Sequence, residues 1–146
     1  MSAQFNSKHG TVSKSPEELY MAFVDMRNFT AMAPAEYKEK MSADFDNLNI
    51  TVQGFTIGVQ VRRRQPYSLV VIGDNGAPFQ FEASFHFDPS PIPGKTDFYI
   101  EAEANLNLMM KAMLGGKIRE ALDKLVDGLV MASNGQMPDL TKDLNL

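Results

Sequence analysis

Asn107–Ala132, NLMMKAMLGGKIREALDKLVDGLVMA, is the only stretch of the chain whose helical periodicity is sustained over many turns. From Lys117 onward, Ile118, Ala121, Leu122, Leu125 and Leu129 follow the i, i+3, i+4, i+7 spacing of one buried stripe, while Arg119, Glu120, Asp123 and Asp127 fall off it. Asn107 is suited to cap the first turn, and Asn134-Gly135 followed by Pro138 to stop the last. Large apolar side chains stabilise by about 1.5–3 kcal/mol each when buried, so such a stripe must rest on another element. The first half of the helix is out of phase with the second. On a straight helix Lys111 would lie in the middle of the stripe, so either Gly115-Gly116 marks a bend or close backbone approach, or Lys111 snorkels to the surface.

The element beneath is legible upstream as alternation with a period of two. Met41, Ala43 and Phe45 alternate with Ser42, Asp44 and Asp46. Leu48, Ile50 and Val52 alternate with Asn49, Thr51 and Gln53. Phe55, Ile57, Val59 and Val61 share a face against Thr56, Gln60 and Arg62. Ser68–Ile72 is a short apolar strand, and Asp74-Asn75-Gly76 is the strongest hairpin signal, because Asn-Gly supplies positive φ angles. Phe79, Phe81, Ala83, Phe85 and Phe87 line one side of the next strand; Phe98, Ile100, Ala102 and Ala104 line one side of the last. Near the start, Gln4–Val12 reads as a first strand. Ser15-Pro16-Glu17-Glu18 then opens a short helix with a capping box and proline at its first position. Asp25 caps a second short helix over Met26–Met32, which Pro34 ends.

The reading is α+β: a curved seven-stranded antiparallel sheet around the long C-terminal helix, with two short helices between the first and second strands. Residues 1–134 form a single domain and residues 135–146 a frayed tail. The SPEELY start with the elbow FVDMRNFTAMAP, the strand GFTIGVQV and the terminal LNLMMKAMLGGKIREALDKLVDGL carry a likeness to a known group. Over residues 4–132 this order of elements resembles the START-like, or helix-grip, superfamily (SRPBCC, polyketide cyclase-like), and in particular its small bacterial members. The resemblance implies a sheet gripping the last helix, with an apolar cavity whose mouth lies near the two short helices. It implies no catalytic residue, because the group shares a scaffold rather than a catalytic motif.

Composition narrows the function classes. The formal net charge of −4 argues against a nucleic-acid binder, which would need a basic face. The N-terminus has no apolar signal-like core and no apolar run approaches the length of a membrane span, so a cytoplasmic protein is expected. Ten Met and ten Phe without Trp suit an interior that can adapt to a guest, and equally suit ordinary core filling.

On this reading the cavity is lined by Phe29, Phe55, Ile57, Val59, Phe81, Phe85, Ile100, Met109, Met110, Met113 and Leu114, with Arg63 at its rim. Phe81 and Phe85 are also candidates for plain core. Arg62 and Arg64 are assigned to the wet face by alternation, and so is His86. No metal, cofactor or catalytic constellation is expected: there is no HxH, HExxH, GxSxG, P-loop or GxGxxG, and the carboxylate pairs face outward. The expected function is binding or carrying a hydrophobic small molecule or lipid, as a monomer or homodimer. The alternatives are an interaction module without a ligand and a cyclase-like enzyme.

Overall fold

A computed structural model describes residues 2–32, 35–52, 55–77 and 79–135. The chain runs β1 (Ser2–Asn6), β2 (Gly10–Val12), α1 (Pro16–Phe23), α2 (Arg27–Met32), α3 (Ala35–Lys38), β3 (Met41–Ala43), β4 (Asn47–Val52), β5 (Phe55–Gln65), β6 (Leu69–Asp74), β7 (Phe81–Pro89), β8 (Thr96–Asn105) and α4 (Leu108–Ser133). The strands make one antiparallel sheet in the order β1-β8-β7-β6-β5-β4-β3, with β2 also paired to β8. Eight strands replace the expected seven because the first breaks at Ser7–His9 and both pieces pair with β8. Ser7 bridges the break: its amide donates to the Ile100 carbonyl and its hydroxyl accepts from the Ile100 amide.

The helix starts follow from capping chemistry. Ser15 accepts from the Glu18 amide at 3.2 Å while the Glu18 carboxylate reaches back to the Ser15 amide, with Pro16 at the first helical position. Ser15→Ala should lower stability by about 1 kcal/mol in thermal unfolding, and Ser15→Asp should restore most of it. Asp25 accepts from the Arg27 amide at the start of α2, and the Arg27 guanidinium clamps the same carboxyl and holds it below its ordinary pKa. Asn107 accepts from the Met110 amide and opens α4. The short α3 follows from no sequence signal used above, and Pro34 lies outside the described residues.

Phe23 on α1 packs its ring 5.3–5.6 Å from those of Phe85, Phe87 and Phe98, the centre of the main core. Val126 of α4 is fully buried against that cluster, while Ala3, Phe5, Ala104 and Leu106 form a second cluster under the first half of α4. The buried stripe of α4 keeps Ile118, Leu122 and Leu129 of the expected one but loses Leu125. Leu125 is 46% exposed, and the docked positions are Ile118, Leu122, Val126, Leu129 and Val130. The cause is Gly10 on β2, where a Cβ would lie 2.7 Å from Val126 and 2.8 Å from Val130. The glycine lets the helix settle on that strand and turns Leu125 outward. The helix runs unbroken through Gly115-Gly116 and Lys111 is exposed. A Cβ at Gly115 would meet Phe5 at an ordinary 3.7 Å and one at Gly116 would meet nothing, so close approach does not explain the pair.

Candidate functional site

The register fixes which side chains share the inner face. Met41, Ile50 and Ile57 form one row across β3–β5. Leu48 and Val59 form the next, and Val61, Ile72, Ala83, Ala102 and Phe5 a third across β5, β6, β7, β8 and β1. The helices cover these rows unevenly. α4 rests on β1, β2 and β8, α1 on β6 and β7, and α2 and α3 on β3. Toward β7 and β8 the inner side chains are therefore buried: Phe85 is 8% exposed and Ile100 fully enclosed. Toward β4 and β5 they are only half-buried: Leu48, Ile50, Ile57, Val59 and Val61. Among the described residues, no helix packs closely on that part of the inner face. The inner face between β4–β5 and the helices is thus only partly covered, and this strip is the candidate groove.

Gly58, between Ile57 and Val59, fixes the outer side of this arm. Asn75 donates to the Gly58 carbonyl and Gly58 to that of Gly76, so the β6–β7 turn lies flat on β5; a Cβ on Gly58 would fall 1.7 Å from the Asn75 carbonyl oxygen. Asn75-Gly76 does turn the chain, with Gly76 at φ 87°, but it opens a longer connection than a two-residue hairpin, because β7 begins at Phe81.

The arginine run is where alternation fails. Val61 pairs with Ile72, but Arg63, not Arg62, pairs with Val71, so two residues of β5 oppose one step of β6. This β-bulge inverts every facing beyond it. Arg63, expected inward at the rim, shares the outer face with Val71 and Ser84 and is exposed. Arg64, expected outward, shares the inner row with Val70, Phe85 and Ile100. Its guanidinium donates to the carbonyls of Val24 (2.9 Å) and Phe45 (3.0 Å) and to the Asp46 carboxylate (2.7 Å), and it lies 4.2 Å over the Phe45 ring. It ties the end of α1 to the β3–β4 turn, with its donors committed to protein atoms.

The other expected lining residues divide. Ile57 and Val59 are half-buried on the partly covered strip, and Phe29 packs on the main core, edge-on to Phe23 at 5.3 Å. Phe85 and Ile100 are core. Phe81 and Met110 pack on the Ala3–Phe5–Leu106 cluster, and Leu114 is half-buried. Phe55 opens β5, and its side chain lies outside the described residues. Met109 and Met113 are 72% and 66% exposed and are not cavity wall; they lie on the solvent side of Met110, which packs on the Ala3–Phe5–Leu106 cluster. Leu48 and Ile50, which the same alternation places inward, stand on the same partly covered strip although they are not among the expected lining residues.

Chemistry inside the groove is sparse. Along β4–β7 the described inward positions carry two titratable groups, Arg64 and Asp74, and Asp74 accepts from the Phe81 amide at 3.0 Å. Thr30 Oγ1 is buried with no hydrogen-bond partner among the described residues. No group of three or more metal-ligating side chains occurs among the described residues. Two depressions mark the convex face instead, of about 460 Å³ beside Lys40, Ser42, Asn49, Thr51 and Thr56, and about 200 Å³ among Gln4, Glu82, Glu101 and Glu103. Both are shallow; the second is mainly polar, while the first also takes in Met41 and is more apolar than polar. On that face the chain's two histidines sandwich Tyr99, His9 at 4.2 Å and His86 at 4.5 Å between ring centroids. Burial, then a hydrogen bond to Asp88, pushes the Tyr99 phenol above its ordinary pKa. The intervening ring keeps the two imidazoles from converging on one ion.

The architecture has counterparts of known structure. Norcoclaurine synthase from Thalictrum flavum, a point mutant in complex with a transition state analogue, superposes with a TM-score of 0.69 at 10% identity, over 92% of this chain and 96% of that one. The same enzyme in complex with dopamine and hydroxybenzaldehyde gives 0.64 at 10% identity, over 80% and 76%. An uncharacterised protein from Bacillus thuringiensis gives 0.67 at 10% identity, over 90% and 99%. This is the START-like helix-grip fold. Identities this low establish the scaffold and no activity. No family model and no curated protein matches the sequence. No described helix is long and apolar enough to cross a membrane.

Proposed function

We propose that this helix-grip domain binds a small hydrophobic or amphipathic molecule in the groove between β4–β5 and the helices. The observation that carries the reading is the half-buried set Leu48, Ile50, Ile57 and Val59, inward-facing apolar side chains that no helix closely covers among the described residues. Covering such a row releases water at about 25 cal/mol per Å² of apolar surface, which favours a guest without any charged anchor. The structural relative that holds dopamine and hydroxybenzaldehyde supports the capacity of this scaffold for small guests. A cyclase-like reaction would need a free acid or base in the groove, and Arg64 and Asp74 are both engaged in holding the fold.

Gently purified protein is expected to carry lipid-like or aromatic material in native mass spectrometry. Replacing Ile57 and Val59 together by glutamine should weaken uptake of an environment-sensitive apolar dye at least about tenfold, as expected for two lost apolar contacts of ~1–2 kcal/mol each. Unfolding midpoints should fall less than for a fully enclosed pair, since both side chains are only partly buried. Protein that is empty as purified and refuses fatty acids, sterols and aromatic polyketides would leave the interaction-module reading in its place.

A further inference from the structure

The three most exposed large apolar side chains among the described residues lie within six positions: Leu108 at 73%, Met109 at 72% and Met113 at 66%. With Ala112 and Gly116, also exposed, they fall within one arc of about 140° at ~100° per residue, a continuous apolar strip along the first turns of α4. Lys111, Lys117 and Arg119 border the strip, and residues 107–119 contain these three cations and no carboxylate, in a chain of net charge −4. None of the three has an ion-pair partner among the described residues, whereas Lys8, Arg27, Arg62, Arg64 and Lys124 all do.

We infer that this face docks on an anionic lipid surface. Leucine and methionine enter the boundary between headgroups and acyl chains, while lysine and arginine stems reach back to the phosphates. The other occupants fit less well. A second copy seated face to face would press both copies' Lys111, Lys117 and Arg119 into one rim. An uncharged partner would leave three free cations unused. The docking does not rest on the groove holding a ligand.

The test is flotation of the full chain with vesicles of phosphatidylglycerol and phosphatidylcholine, against phosphatidylcholine alone. Binding is expected to the anionic vesicles only and to fade as salt rises. Each cation is worth roughly fivefold near such a surface, so K111Q/K117Q/R119Q should lower partitioning on the order of 100-fold. M109S/M113S should lower it at least about tenfold with an unchanged unfolding midpoint, since both side chains are already in water. Four results overturn the inference: no flotation with anionic vesicles at low salt, equal flotation with phosphatidylcholine, full binding by M109S/M113S, or a solution dimer that M109S/M113S dissociates.

Discussion

Phe85→Asp is expected to abolish cooperative unfolding, leaving a chain with no thermal transition and no dispersed amide or methyl resonances. Phe85 is 8% exposed, pairs with Val70 and Ile100 in a buried row, and packs its ring 5.3 Å from Phe23 and 6.3 Å from Phe98. Removing a buried phenyl costs about 3–5 kcal/mol. The carboxylate that replaces it finds no free cation in that row, because Arg64 is committed to Val24, Phe45 and Asp46, and an unpaired buried charge costs several kcal/mol more. The sum reaches the whole stability of a typical domain, about 5–15 kcal/mol. One residue on, His86 faces the other way. It stacks on Tyr99 with an interplanar angle of 3°, and its Nε2 lies 2.7 Å from Glu101, an approach off the line of a hydrogen bond and so only electrostatic. The sequence alone makes His86→Ala silent; the stack raises its expected cost to about 1 kcal/mol, still a folded protein. A Phe85→Asp chain that unfolds cooperatively near the wild-type midpoint would mean that the facing of β7 is off by one residue.

What was legible in the sequence had local causes. The capping box at Ser15, the Asn107 cap and the period-two runs of β4, β7 and β8 each depend on residues within a turn or two of one another, and they placed the layers correctly. Pairwise geometry was not legible. Nothing in GTV announces that Gly10 must admit Val126 and Val130, so helical phase alone places Leu125 inward where the structure exposes it. The misassigned methionines have the same origin. Met109, Met110 and Met113 look alike as composition, yet only Met110 turns to the sheet, because the axis of α4 is set by Leu106 and the β1–β8 edge rather than by its own first turns. For the candidate groove this means that the strand side was readable and the helix side was not. What opens the groove is the placement of α4 over β1, β2 and β8, a tertiary fact without a local signature.

The bulge in β5 gives the sharpest test of that distinction. Arg64→Ala should lower stability by about 2–3 kcal/mol, or roughly 5–10 °C in Tm for a domain of this size, whereas Arg63→Ala should stay within about 0.5 kcal/mol of wild type. Arg64 Nε donates to the carbonyl of Val24, the last residue capping α1, where a cation also suits the negative end of the helix. Its two terminal nitrogens serve Phe45 and Asp46, and its plane covers the Phe45 ring. Alanine there leaves two carbonyls short of a donor and unties the short helices from the β3–β4 turn. With the side chain 22% exposed, water makes good part of the loss, which is why the figure stays below that of a fully buried cation. Arg64→Lys should recover less than half, since one ammonium on a flexible stem cannot reach three acceptors and lie flat on a ring. Arg63 shares the outer face with Val71 and Ser84, is exposed, and has no comparable set of partners among the described residues. The order of the two midpoints decides the matter: if Arg63→Ala is the more damaging variant, β5 runs without a bulge, strict alternation holds to its end, and Arg63 is the inward arginine beside the groove.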